Sequence, residues 1–303
     1  MKTIHTHICP VCGSAELKPF LSCTDYLATK EAFDIQKCAK CGFAFTQDFP
    51  SEDEIGRYYD APEYVSHSDT HKGVINMLYH WVRKIALKSK SKIIIKYAPV
   101  KTGKLLDIGS GTGYFLNRMK SLKWMVTGIE KSDAAREYAK QRFDIDSQQS
   151  GYLYEIPCQT KDVVTMWHVL EHMEHLDKVL EQIYNILHDN GTAVIALPNK
   201  DSLDAVYYKD KWAAYDVPRH LWHFSLADFE YLISKHHFEL VEVKPMYFDA
   251  FYISMLSEKN KGTTLGSLVG LIRGGLFYLQ TLGNKTRSSS LIYILKKKNK
   301  IQK

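Results

Sequence analysis

The residues Leu105–Phe115 read Leu-Leu-Asp-Ile-Gly-Ser-Gly-Thr-Gly-Tyr-Phe, an apolar run leading into an acid and three alternate glycines. Glycine has no Cβ and tolerates positive φ, so a strand ending in such a turn lets a ligand lie against bare backbone. A second apolar run, Met125–Ile129, ends at Glu130, seventeen residues beyond Gly113. A carboxylate there can accept both hydroxyl protons of a ribose, which predicts a nucleoside-containing cofactor. The dinucleotide pattern G-x-G-x-x-G fails in both registers, reaching Tyr114 or Leu116 where the third glycine should stand, and no Gly-Lys-Ser/Thr follows to make a P-loop.

Two further groups could do chemistry. Cys9-Pro-Val-Cys12-Gly and Cys38-Ala-Lys-Cys41-Gly are paired knuckles, and four thiolates in that spacing close a tetrahedral zinc shell. With no open position left, Cys9, Cys12, Cys38 and Cys41 read as a structural rather than a catalytic site. His5 and His7 lie near enough to enter a mixed shell. The other group is Met166-Trp-His-Val-Leu-Glu-His-Met-Glu-His175, in which His168, Glu171 and His172 fit H-x-x-E-H, an inverted zinc-protease spacing. Its position after a buried strand, at the carboxyl edge of a sheet, points instead to the cofactor crevice. Trp167 and His168 are therefore placed for direct contact with cofactor or acceptor, and Glu171 and His172 for support.

The elements around these motifs alternate as a parallel α/β sheet requires. Strands are expected at Lys104–Ile108, Met125–Glu130, near Ile145, and at Asp162–Met166, Thr192–Leu197, Phe238–Val243 and Leu291–Leu295. Leu176, Val179, Leu180, Ile183 and Leu187 form a helical stripe closing at Asn190-Gly191, and Ser225-Leu-Ala-Asp228 opens another helix. Ser51-Glu-Asp-Glu54 reads as a capping-box start, followed by Ile75, Leu78, Val82, Ile85 and Ala86 at helical spacing. Tyr58, Tyr59 and Tyr64 lie between them and read as packing residues near the mouth of the site. The predicted organisation is a zinc-ribbon-like unit over 1–50, a helical connector over 51–100, and an α/β domain over 101–303 with a helical insertion at about 250–288.

The pattern Asp107-x-Gly109-x-Gly111-x-Gly113, with Glu130 after the next strand, resembles motif I of the class I S-adenosylmethionine-dependent methyltransferases. The resemblance implies a seven-stranded Rossmann-like sheet and S-adenosyl-L-methionine as cofactor. Asp107, Gly109, Gly111 and Gly113 would then hold its methionine part and Glu130 its ribose. The Val169-Leu-Glu-His172 element is similar to that of small-molecule methyltransferases, including the ubiquinone-type O-methyltransferases, where the strand end meets the cofactor through backbone. The family often carries an acid against the adenine after the third strand. Ser147–Leu153 has no such carboxylate; backbone near Tyr152 and Leu153, or Gln149, could substitute.

In this fold the segment after the fifth strand covers the acceptor. Here it contains Trp212, Tyr215, Arg219, His220, Trp222 and His223. Arg219, His220 and His223 suit an anionic or hydroxylated acceptor; His220 is the leading candidate base, with Tyr215 and His168 in reserve. His223 and Trp222 read mainly as packing beside the Ser225 helix.

Charge adds a last constraint. The chain of 303 residues is net +6, but residues 250–303 carry ten Lys or Arg against Glu258 alone, leaving the first 249 at −3. Leu265–Leu282, interrupted by Arg273, is short for a bilayer span, which takes roughly 20 apolar residues. With the basic tail it suggests an anionic membrane surface as partner. Residues 1–10 have no apolar core of signal-peptide length, and the cysteine pairs favour metal over disulfides, which predicts a cytoplasmic protein, peripheral at the inner face of the membrane. The expected function is methyl transfer to oxygen or carbon of a small molecule. An RNA methyltransferase is the first alternative, disfavoured by the acidic body and by the lack of an Asn-Pro-Pro-aromatic element after the fourth strand. A non-catalytic scaffold is the second.

Overall fold

A computed structural model describes residues 2–59 and 74–298. The expected roles of Tyr64, and of the Ile75 and Leu78 side chains, lie outside the described residues, as do the basic positions Lys300 and Lys303. The N-terminal part contains β1 (Thr3–Ile4), β2 (Leu17–Thr24), β3 (Ala32–Cys38), β4 (Ala44–Thr46) and β5 (Phe49–Pro50). Helix α1 (Val74–Tyr97) leads to β6 (Lys104–Ile108), α2 (Tyr114–Ser121), β7 (Met125–Ile129) and α3 (Asp133–Phe143). Next come β8 (Lys161–Trp167), α4 (Leu176–Ile186), β9 (Leu187–Pro198) and α5 (Leu203–Tyr208). The chain then forms β10 (Trp222–His223), α6 (Leu226–Lys235), β11 (Phe238–Pro245), α7 (Asp249–Asn260), α8 (Gly266–Thr281) and β12 (Ser290–Lys297).

The main sheet has the order β11-β12-β9-β8-β6-β7, with β9, β8, β6 and β7 parallel and β12 antiparallel to both its neighbours. Strand β6 pairs with β7 on one side and β8 on the other, so the chain reverses its winding there and opens a crevice beyond the carboxyl end of β6. One face is covered by α1, α2 and α3 through Ile93, Ile94, Leu116 and Met119. The other is covered by α4 and α6, with Phe43, Phe45 and Phe49 of the N-terminal part in the same core.

The seventh strand expected near Ile145 is absent among the described residues, and the sheet has six. Only Ile145 of that segment is both apolar and buried, and the polar run after it sustains just a bridge between Ile129 and Gln148. The Ser51 capping box does not form either. The Ser51 hydroxyl has no hydrogen-bond partner among the described residues, and a short 3-10 turn at Ile55–Tyr58 replaces the expected helix start. Helix α4 stops at Ile186, before Asn190-Gly191, because Leu187 enters the ladder opposite Lys161. Ser225 and Asp228 make the expected capping box.

The sheet of the first fifty residues is not closed within them. Its order is β10-β4-β3-β2, and Trp222 and His223 supply the outer strand by pairing with Phe45 and Ala44. In the insertion, α7 and α8 pack closely because α8 presents glycines. A Cβ on Gly270 would stand 2.4 Å from Met255 Cα, and one on Gly274 2.6 Å from Phe251 Cα. The opposite side of α8 exposes Leu268, Leu271, Ile272, Leu276 and Leu279. No helix among the described residues is long and apolar enough to cross a membrane.

Candidate active site

The turn after β6 needs its glycines. Gly109, Gly111 and Gly113 have φ of 72°, 51° and 79°, the left-handed region that side chains disfavour. A Cβ on Gly109 would also meet Val169 Cγ2 at 2.3 Å, and one on Gly113 would meet Ala139 Cβ at 2.9 Å. At the end of β7 the Glu130 carboxylate bends back onto this turn. It accepts from the Gly111 amide at 2.8 Å and from the Ser132 amide at 2.8 Å. The predicted acid and glycines are thus in contact. Asp107 lies beneath them, buried, accepting from the Thr165 hydroxyl at 2.6 Å. Burial pushes its pKa up to about 7, against the opposing pull of Thr165 and of the Lys90 ammonium.

At the end of β8, Trp167 is almost buried, edge-on to Phe115, with the Lys90 ammonium 4.4 Å from its ring centre. Burial lowers the Lys90 pKa, against the pull of Asp107 and Asp249. Leu153 is buried in the core with Ile129, its carbonyl taken by the Gln182 amide at 2.8 Å. Lys90, Thr165 and Asp249 escaped sequence reasoning, since each is brought in from a different element and none stands in a motif.

His168 follows Trp167 with φ of 59°. Its Nε2 lies 3.0 Å from Asp249 Oδ2 and its Nδ1 3.4 Å from Glu171 Oε1. Although burial opposes the charge, the two carboxylates hold its pKa up to about 10, so the ring is an imidazolium at neutral pH. This corrects its reserve role as a base, because its proton is already held. Tyr215 is likewise corrected. It is enclosed among Trp212, His223 and Phe20, and burial drives its phenol well above the ordinary value, so it is poorly placed to ionise.

Arg219 is not available to an anionic acceptor. Fully buried, it donates to Asp216 at 2.6 and 3.0 Å, to Asp25 at 2.9 Å and to the Tyr58 carbonyl at 2.7 Å. It is a strut between the acceptor-side segment and the N-terminal part. His223 also packs, its Nε2 3.0 Å from the Thr46 hydroxyl, and burial lowers its pKa far below the usual value. His220 is nearly buried, with Nδ1 2.8 Å from the Ala214 carbonyl. A carbonyl only accepts, so Nδ1 donates to it, and Nε2 lies 4.0 Å from Asp216 Oδ2. His172 stands edge-on to it with ring centres 4.6 Å apart.

The four knuckle cysteines converge. Cys9 and Cys41 Sγ are 3.5 Å apart, and Cys12 and Cys38 Sγ 3.6 Å. Sulfurs at about 2.3 Å around a tetrahedral zinc would stand roughly 3.8 Å apart, so the cluster fits a zinc ribbon. Gly13 and Gly42, at φ of 72° and 83°, make the turns that follow each pair. His5 is turned to Asp48 at 2.6 Å, away from a mixed shell.

A protein family described as a methyltransferase domain matches residues 80–243, more than half of the chain. The chain belongs to that family. The ubiquinone biosynthesis O-methyltransferase of Pelagibacter ubique is 32% identical over 107 residues, covering 34% of this chain and 45% of that protein. An uncharacterized protein of Methanocaldococcus jannaschii is 27% identical over 152 residues, half of this chain and 63% of its own length. This methyltransferase-domain protein therefore spans less than two thirds of the curated relatives it matches. Among solved structures, a SAM-dependent methyltransferase from Archaeoglobus fulgidus superposes with TM-score 0.50 at 18% identity, covering 71% of this chain and 94% of that one. Haemonchus contortus phosphoethanolamine N-methyltransferase 2, solved with S-adenosyl-L-methionine, gives 0.54 at 19% identity over 84% and 63%. At such identities the likeness concerns the fold, a Rossmann-like methyltransferase sheet.

Proposed function

We propose that this protein transfers the methyl group of S-adenosyl-L-methionine to a hydroxyl or an acidic carbon of a small molecule. The observation that carries the reading is the contact between the Glu130 carboxylate and the Gly109–Gly113 turn, at the point where the sheet reverses its winding. Asp107, the three glycines and Glu130 hold the cofactor, with Trp167 and Leu153 walling it and the imidazolium of His168 beside it. The bound cofactor supplies an electrophilic methyl group. The chain's own residues orient the acceptor in line with it and take the acceptor's proton, and positioning supplies much of the rate. His220, anchored through Nδ1 on the Ala214 carbonyl, is the base in this reading.

Calorimetric titration with S-adenosylhomocysteine tests it. One-to-one binding at micromolar Kd is expected, and no binding by the folded chain would leave the scaffold reading instead. The cysteine cluster is proposed to hold structural zinc, for which metal analysis of the purified chain should find zinc lost from a Cys38→Ser variant. The exposed Leu268–Leu279 side of α8, together with Lys259, Lys261 and Arg273, favours contact with an anionic membrane surface. Failure to float with anionic liposomes would exclude that contact.

A further inference from the structure

On the acceptor side, Glu171, His172 and His220 each offer one ligand atom, and the three atoms lie within 4.8 Å of one another. Glu171 is completely buried, and among the described residues its carboxylate has no donor closer than His168. Its nearest cation is His168 Nδ1 at 3.4 Å, and that ring makes its shorter contact, 3.0 Å, with Asp249. A buried carboxylate is costly unless cations meet it; His168 reaches Oε1, and Oε2 is left for a second one.

Both histidines are already set as ligands. His172 Nδ1 lies 2.9 Å from the Arg219 carbonyl and His220 Nδ1 2.8 Å from the Ala214 carbonyl. His172 Nδ1 also meets the Tyr59 hydroxyl at 3.2 Å, and a carbonyl only accepts, so a ring anchored on it through Nδ1 keeps Nε2 for a metal. Histidines that ligate metals are commonly fixed by a backbone carbonyl on their other nitrogen.

We propose that Glu171, His172 and His220 form a site for one divalent transition-metal ion, separate from the cysteine cluster. Two imidazoles and a carboxylate suit Zn2+, Fe2+, Co2+ or Ni2+ better than Mg2+ or Ca2+. Three protein ligands leave at least one position for water or for an oxygen of the acceptor. An acceptor hydroxyl bound there would ionise more readily, and His220 would then act by holding the metal rather than by taking the proton itself. The H-x-x-E-H spacing named His168 as a ligand. In the fold Asp249 engages that ring, and His220, far along the chain, stands in its place. The site deepens the acceptor reading but does not rest on the cofactor assignment.

The test is a Co2+ titration of the full chain after dialysis against a chelator. Ions on the cysteines show thiolate-to-metal charge-transfer bands, whereas an ion on Glu171, His172 and His220 shows only d–d bands. The expected result is one Co2+ per chain without charge transfer, bound at least tenfold more weakly by Glu171→Gln and by His220→Gln. Wild-type chain that takes up cobalt only with charge transfer overturns the proposal, and so does a Glu171→Gln chain of unchanged affinity. The near-isosteric glutamine keeps the core packed, and unchanged circular dichroism verifies the fold. Because the titration reads metal alone, its failure leaves methyl transfer with His220 as base, and failure of S-adenosylhomocysteine binding leaves the metal site standing.

Discussion

The two halves of the crevice are built in opposite ways. The cofactor half is local: Asp107, Gly109, Gly111, Gly113 and Glu130 fall within 24 residues, at the ends of two adjacent strands and in the turn that follows the first. The acceptor half draws on Asp25, Tyr58, Glu171, His172, Arg219 and His220, joined only in the fold. A local site depends on backbone conformation, so single side-chain deletions elsewhere should leave it intact. A dispersed one depends on struts, and losing a strut should loosen several ligand groups together.

The largest effect is expected at the strut. Arg219→Met leaves Asp25 buried without its cation, which should cost about 3–5 kcal/mol in urea unfolding. If S-adenosylhomocysteine still binds at low denaturant, the two halves are energetically separate; if binding falls in parallel, the contrast fails. Next is Gly109→Ala, which puts a Cβ into Val169 at positive φ. The left-handed backbone alone costs about 1–2 kcal/mol, so calorimetry should show cofactor affinity reduced roughly 10-fold or more, with the zinc content unchanged. His220→Ala should lower turnover by about 10²–10⁴-fold while sparing cofactor affinity, as loss of a base does. Full turnover in that variant would place the proton acceptor elsewhere.

The smallest effect is a dependence on pH. Asp107 titrates near 7 when folded and near 4 when unfolded, so the folded state favours its neutral form. The stability it contributes is present below pH 4 and disappears as pH rises through about 7. Asp107→Asn should flatten that part of the urea-midpoint profile, and a profile unchanged by the substitution would contradict the assignment.

This contrast also explains what could be read from the sequence. Six strands of the main sheet, the α6 capping box and the glycine turn are set by neighbours, so apolar runs and spacing reveal them. The site near Ile145 looked like a strand because one buried apolar residue in a connecting segment resembles the start of one, yet pairing needs more than one. The acceptor side was only partly visible. His220 stood out by its type, but nothing near Arg219 announced that Asp25 and the Tyr58 carbonyl would occupy it. His168 looked reactive until Asp249, 81 positions later, arrived beside it.

The pairing of Ala44 and Phe45 with Trp222 and His223 also bears on how the chain is made. Strand β4 leaves the ribosome roughly 175 residues before its partner does. At about 5–20 residues per second the wait is on the order of 10–35 s, with one row of backbone donors and acceptors unmatched throughout. The knuckles close far earlier in synthesis, so metal captured there would hold the nascent ribbon together while its open edge awaits the strand that completes it.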